Sequence, residues 1–102
     1  MANRLDLHEE FCNILKTRNV YFNPPEGVKM NYPCIRYSLS GIDLASANND
    51  NYLIAKKYEV IAIDYNPDNT IYEDIIRRFS KCKFDRVYIA NNLYHYVFTI
   101  YY

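Results

Sequence analysis

Glycine is scarce in this chain. Only Gly27 and Gly41 occur in 102 residues. GxGxxG needs three glycines, and Gly27 and Gly41 lie too far apart for GxxxxGK, so a glycine-rich phosphate-cradling loop is excluded. Tryptophan is absent. Neither charge sign is in excess, since 12 basic residues balance 12 acidic ones. No global field therefore draws the chain to nucleic acid or to an anionic membrane. No run approaches the roughly 18 continuous apolar residues that a membrane-spanning helix needs. The N-terminus, MANRLDLHEEF, is charged from the outset, and no signal peptide is expected. The three cysteines, Cys12, Cys34 and Cys82, are odd in number and form no CxxC pair. Scattered thiols of this kind read as free, buried side chains of a reducing compartment rather than a disulfide frame or zinc site.

What is abundant is tyrosine, with 12 copies in a chain that is 50% hydrophobic. Its rigid apolar ring and polar tip suit half-buried strands and interfaces. The hydrophobic content excludes wholesale disorder, and the length fits one small domain with one modest core.

The periodicity predicts a first helix over residues 3–16. Leu7, Phe11, Ile14 and Leu15 recur at helical spacing, with Asn3 as cap. Residues 19–22 (NVYF) read as a short strand. Two adjacent prolines, a glycine and a further proline keep residues 23–33 irregular. Residues 34–40 (CIRYSLS) read as a strand. Residues 42–51 (IDLASANNDN) read as a long polar, turn-prone excursion, expected to order only in an assembly. The next strand has KKYEVIAIDY at its centre and is apolar at both parities over residues 60–63. That pattern marks a central strand covered on both faces. Thr70-Ile71-Tyr72-Glu73 has the form of a capping box and opens a second helix with Ile71, Ile75, Ile76 and Phe79 as its apolar stripe. A closing hairpin turns at Asn91-Asn92, because asparagine tolerates the left-handed backbone of a two-residue turn. Tyr94, Tyr96, Phe98, Ile100 and Tyr102 then share one face as core. Leu93, His95, Val97, Thr99 and Tyr101 share the other, a candidate contact face. The expected fold is a single α+β domain over residues 1–102: an antiparallel sheet with two helices on one face, in the order α-β-β-β-α-β-β.

Catalytic chemistry is thinly represented. His8 lies on a helix among acids. His95 with Cys34 or Cys82 would make a nucleophile–base dyad, but no third, orienting group is identifiable. Asp64, Asp68, Glu73 and Asp74 gather at a turn and helix start, where the helix dipole alone attracts acids. Arg77, Arg78, Lys81, Lys83 and Arg86 form the one basic cluster. Interleaved with Phe79, Phe84 and Tyr88, they could hold single-stranded nucleic acid.

Three longer strings, NVYFNPPEGVKMNYPCIRYSL, KKYEVIAIDYNPDN and FDRVYIANNLYHYVFTIYY, together with the element order, resemble the tail-terminator (tail-completion, or neck) proteins of tailed bacteriophages and related tail-like particles. The resemblance spans nearly the whole chain and rests on layout and phrasing rather than a catalytic motif. It implies a virion protein of the tail neck, made in the bacterial cytoplasm, without enzyme activity or cofactor. It implies a homohexameric ring that caps the tail tube, ends tail growth and offers a surface for head joining. The implied partners are further copies of the chain, the tail tube protein, a head-closure or connector protein and, in a contractile tail, the sheath terminus. DNA would pass through the lumen without sequence-specific binding. On this reading Asp43, Leu44, Asn48, Asn49, Asp50, Tyr52, His95, Thr99 and Tyr101 are candidates for ring and tube contacts. Pro24, Pro25, Glu26 and Lys29 form a candidate second contact loop. The alternatives are a head-closure or connector neck protein, or a small nucleic-acid-binding module using the 77–86 cluster.

Overall fold

The computed structural model describes residues 3–25, 27–47 and 50–102, without the side chains of residues 47 and 51–54. The elements run α1 (Arg4–Leu15), β1 (Val20–Phe22), β2 (Cys34–Ala47), β3 (Asp50–Asp64), α2 (Ile71–Arg78), β4 (Cys82–Ala90) and β5 (Leu93–Tyr101). The expected α+β fold and element order are present. The five strands form one sheet in the order β1-β2-β3-β5-β4. β3 is central, as its two-sided apolar run requires: Val60, Ala62 and Ile63 are buried and Ile61 is half-buried.

One departure lies at β1. It pairs with β2 in parallel, Val20 opposite Ile35 and Phe22 opposite Tyr37, in a sheet whose other pairings are antiparallel. A parallel neighbour needs a crossover, and residues 23–33 supply it. Val20 and Phe22 face the helices, so Tyr21 points the other way. Its hydroxyl accepts a hydrogen bond from the Asn31 backbone N–H at 3.2 Å. The proline-rich connection therefore crosses the face away from the helices, where Cys34, Ile63 and Val97 are buried.

The core lies between the helices and the other sheet face. Leu7, Phe11, Cys12 and Leu15 of α1 and Ile75 of α2 pack with Ile35, Tyr37, Tyr58, Val60, Ala62, Tyr96, Phe98 and Ile100. The alternate positions of β5 thus form the core face expected of them. Tyr37 is central, with Phe11, Phe22 and Tyr58 rings at 5.2, 5.0 and 6.0 Å. Ile76, placed in the apolar stripe of α2 by spacing, is exposed instead. A helix of 8 residues has room to bury little more than Ile75 and the flanking Ile71 and Phe79.

The caps follow local chemistry. The Asn3 side chain accepts from the Asp6 N–H at 3.0 Å. Lys16 closes α1 in the left-handed region at φ 61°. The expected Thr70–Glu73 capping box does not form, since the Thr70 side chain makes no cap bond. Asn69 takes its place. Its Oδ1 accepts from the Ile71 N–H at 3.2 Å, and its Nδ2 donates to the Asn66 carbonyl at 2.8 Å and the Tyr96 hydroxyl at 3.4 Å. Asn91 and Asn92 have φ of 53° and 63°, the pair of left-handed residues that a two-residue hairpin turn uses.

The largest correction concerns residues 42–51. Residues 42–47 and 50–51 are strand rather than an irregular excursion, and residues 48 and 49 lie outside the described residues. β2 runs on through 14 residues and β3 through 15, paired from Cys34 opposite Ile63 out to Ala47 opposite Asp50. β1 flanks β2 only up to Tyr37, and β5 flanks β3 only from Lys57 inward. The outer third of the hairpin is consequently a two-stranded arm. It accounts for much of the 52 Å long axis of a molecule only 29 by 23 Å across. The arm has no helix above it, so its sequence needs no continuous apolar face. That is why its composition reads as polar loop.

Candidate functional site: the hairpin arm and the open sheet edge

Two surfaces at opposite ends of the strand order carry exposed aliphatic side chains. The first is the arm. Leu39, Ile42 and Leu44 are exposed, Leu44 to 57%. Tyr37 faces the core, so Leu39 lies on the helix-bearing side of the sheet. A bulge at Ser40 shifts the alternation by one, since Leu39 pairs with Tyr58 but Gly41 with Lys57. Ile42 and Leu44 therefore return to the same side as Leu39, and Asp43 projects from the other.

The second surface is β4, the outermost strand at the far end of the sheet. Its interior residues are all exposed. Phe84, Val87 and Ile89 lie on the helix-bearing side, opposite Phe98, Tyr96 and Tyr94 of β5. Ile89 is exposed to 64%. A bulge at Asp85 again shifts the alternation. Asp85 and Arg86 both face away from the helices, and the Thr99 hydroxyl donates to Asp85 Oδ2 at 2.8 Å. Edge strands that present free backbone groups beside apolar side chains are templates for pairing with another chain.

The face away from the helices gathers His95, Thr99 and Tyr101 with Lys83, Arg86 and Tyr88 by register. Tyr88 and His95 stack at 4.6 Å, and the Arg86 guanidinium lies over the Tyr88 ring at 5.6 Å. His95 Nδ1 lies 3.0 Å from the Leu93 carbonyl. A dyad with Cys82 is not formed, because Cys82 faces the helix side with Ile100 while His95 faces the other. Cys34 lies two strands from His95, and burial pushes its thiol up to about 12, away from thiolate character. Burial likewise raises the Cys82 thiol.

The sequence candidates are distributed as follows. Asp43, Leu44 and Asp50 lie on the arm and are exposed. Tyr52 is in β3, opposite Ala45. Asn48, Asn49 and Glu26 lie outside the described residues. Pro25 and Lys29 are exposed and Pro24 half-buried in the crossover, where Pro24 lines a recess with Arg36, Ser38 and Glu59. The basic cluster is divided. Arg77 and Arg78 belong to the helix layer, where they meet Glu73 at 3.9 Å and Glu10 respectively. Lys83 and Arg86 lie on the opposite sheet face, and Lys81 sits between, its carbonyl accepting from the Tyr101 N–H. Among the described residues no three His, Cys, Asp or Glu side chains gather as a metal site, and no helix is long and apolar enough to cross a membrane.

Sequence reasoning missed Phe84, Val87 and Ile89 as a set. Their spacing of three and then two breaks strand alternation, and only a bulge puts them on one side. The same spacing in Leu39, Ile42 and Leu44 was the signal available.

Comparison with protein-family models, with curated proteins and with solved structures returns no match.

Proposed function

We propose that this chain is a structural ring protein of a phage tail neck, which caps the tail tube, ends its growth and presents a surface for head joining. The observation that carries the reading is the pair of unlike adhesive surfaces, the projecting arm and the open β4 edge. A subunit with two different contact surfaces at opposite ends associates head to tail, and such contacts close into a ring when the rotation per subunit allows. Exposed aliphatic residues on both surfaces favour contact with other protein. The resemblance to tail-terminator proteins supplies the biological setting and the expected sixfold symmetry. The chemistry of the ring is assembly rather than catalysis, and the proline-rich crossover provides a further surface for the tube or a head-closure partner.

The test is to polymerise a tail tube protein from the same source genome with and without the chain present. Tubes capped at one end by a ring and arrested in length, seen by electron microscopy, are expected. Tubes of unchanged length that carry no added density refute the reading.

A further inference from the structure

We infer that successive copies join by strand pairing, with β4 of one copy laid antiparallel along the outer edge of β2 in the arm of the next. The inference rests on the ring reading and specifies its contact. β1 stops opposite Tyr37, so no described strand flanks that edge of β2 from Ser38 to Ala47. β4 has an open outer edge of its own, so each copy carries one donor and one acceptor edge. The order and directions of the strands make β2 and β4 antiparallel within one copy. Copies related by rotation about a ring axis keep each strand's sense along that axis, so the joined edges are antiparallel too.

One register satisfies both faces. It places Leu44 opposite Phe84, Ile42 opposite Val87 and Leu39 opposite Ile89. All six side chains lie on the helix-bearing side and are exposed in the single copy. The bulges at Ser40 and Asp85 are what keep these triplets in step with each other. On the reverse face the same register sets Asp43 directly opposite Arg86. Residues 40–51 carry Asp43 and Asp50 and no base, whereas residues 81–89 carry Lys81, Lys83 and Arg86 against Asp85 alone. Opposite charges and apolar pairs placed across neighbouring strands both stabilise pairing, and like charges oppose it. Gly41 falls opposite Tyr88, where the missing side chain leaves room for the ring.

The stagger is also compatible with closure. Tyr37 is level with Phe84 across β3 and β5, and the register joins Phe84 to Leu44 of the next copy. Discounting the bulged Ser40, each copy steps six positions along the strand, about 20 Å, over four strands spanning about 19 Å. The resulting tilt of about 45° is at the upper end of the range of closed barrels.

The experiment uses the full chain with Cys82→Ser, which leaves only the buried Cys12 and Cys34 thiols. In this background Asp43→Cys and Arg86→Cys are combined, and the protein is oxidised at millimolar concentration, alone and with tube protein. Directly opposed strand residues lie about 4.5–5.5 Å apart at Cα, within disulfide reach. Disulfides joining residue 43 of one chain to residue 86 of another are expected by peptide mapping. In parallel, Asp43→Arg and Arg86→Asp should each weaken self-association roughly tenfold, and the double exchange should restore it. All three substituted positions, 43, 82 and 86, are exposed or half-exposed, so far-UV circular dichroism should be unchanged. Rings that assemble without 43–86 links and ignore the charge exchange overturn this pairing and leave the ring reading standing. A chain that stays monomeric under all of these conditions overturns both.

Discussion

His8 Nδ1 lies 2.8 Å from the hydroxyl of Tyr37, the aromatic residue at the centre of the core. Arg4 donates to the same oxygen at 3.3 Å and can only donate, which leaves the Tyr37 O–H available to donate to the lone pair of a neutral His8. Donation in that direction uses neutral imidazole, the form that burial favours. Burial lowers the His8 pKa below its ordinary 6.5, with Arg4 and Arg18 acting in the same sense and Glu9 opposing.

This predicts a pH dependence of stability with a definite sign. The unfolded chain takes up the His8 proton first, so the contribution is complete above about pH 6.5 and is lost as pH falls through the lowered folded value. Urea midpoints measured across that interval should fall with acidification, and the His8→Leu variant should flatten that slope. An unchanged slope in the variant would contradict the assignment.

Phe98 is fully buried between the helices and the sheet, with Phe84 edge-on at 5.4 Å. Phe98→Ala should cost about 3–5 kcal/mol in chemical unfolding. Val87→Ala, on the open edge, should change stability by less than about 1 kcal/mol and act on association instead.

Asn69 holds together the turn, the start of α2 and the Tyr96 hydroxyl. Asn69→Ala should destabilise by about 1–2 kcal/mol, while Thr70→Ala, which removes no cap bond, should be nearly silent. The reverse ranking in thermal unfolding would restore the capping box.

At the closing turn, Asn92→Gly should be neutral or stabilising, because glycine adopts positive φ without strain. Asn92→Val should cost about 1–2 kcal/mol, measured the same way.

The parts of the fold legible in the sequence were those whose residues answer to this chain alone. The stripe of α1, the Asn91-Asn92 turn and the two-sided apolar run of β3 all serve the internal core, so composition and period reported them directly. The arm was illegible for the complementary reason. With neither face covered, Ile42-Asp43-Leu44-Ala45 alternates without a run long enough to read as strand, and its strand character comes from pairing with β3. β4 was legible as a strand but not as an adhesive edge, because the Asp85 bulge scrambles the period that would have shown Phe84, Val87 and Ile89 on one side. α2 shows the opposite error. Thr70 and Glu73 match a capping pattern, yet Asn69 lies one residue earlier and reaches the Ile71 N–H itself.

The central claim is that the chain closes into a ring through unlike surfaces. Light scattering on the size-fractionated native chain, alone and with tube protein, tests it most directly. A single closed species with the mass of six copies, lost on Ile42→Asp or Val87→Asp without loss of the folded circular dichroism signal, is the expected result. A monomer at every concentration, with or without tube protein, would contradict the account.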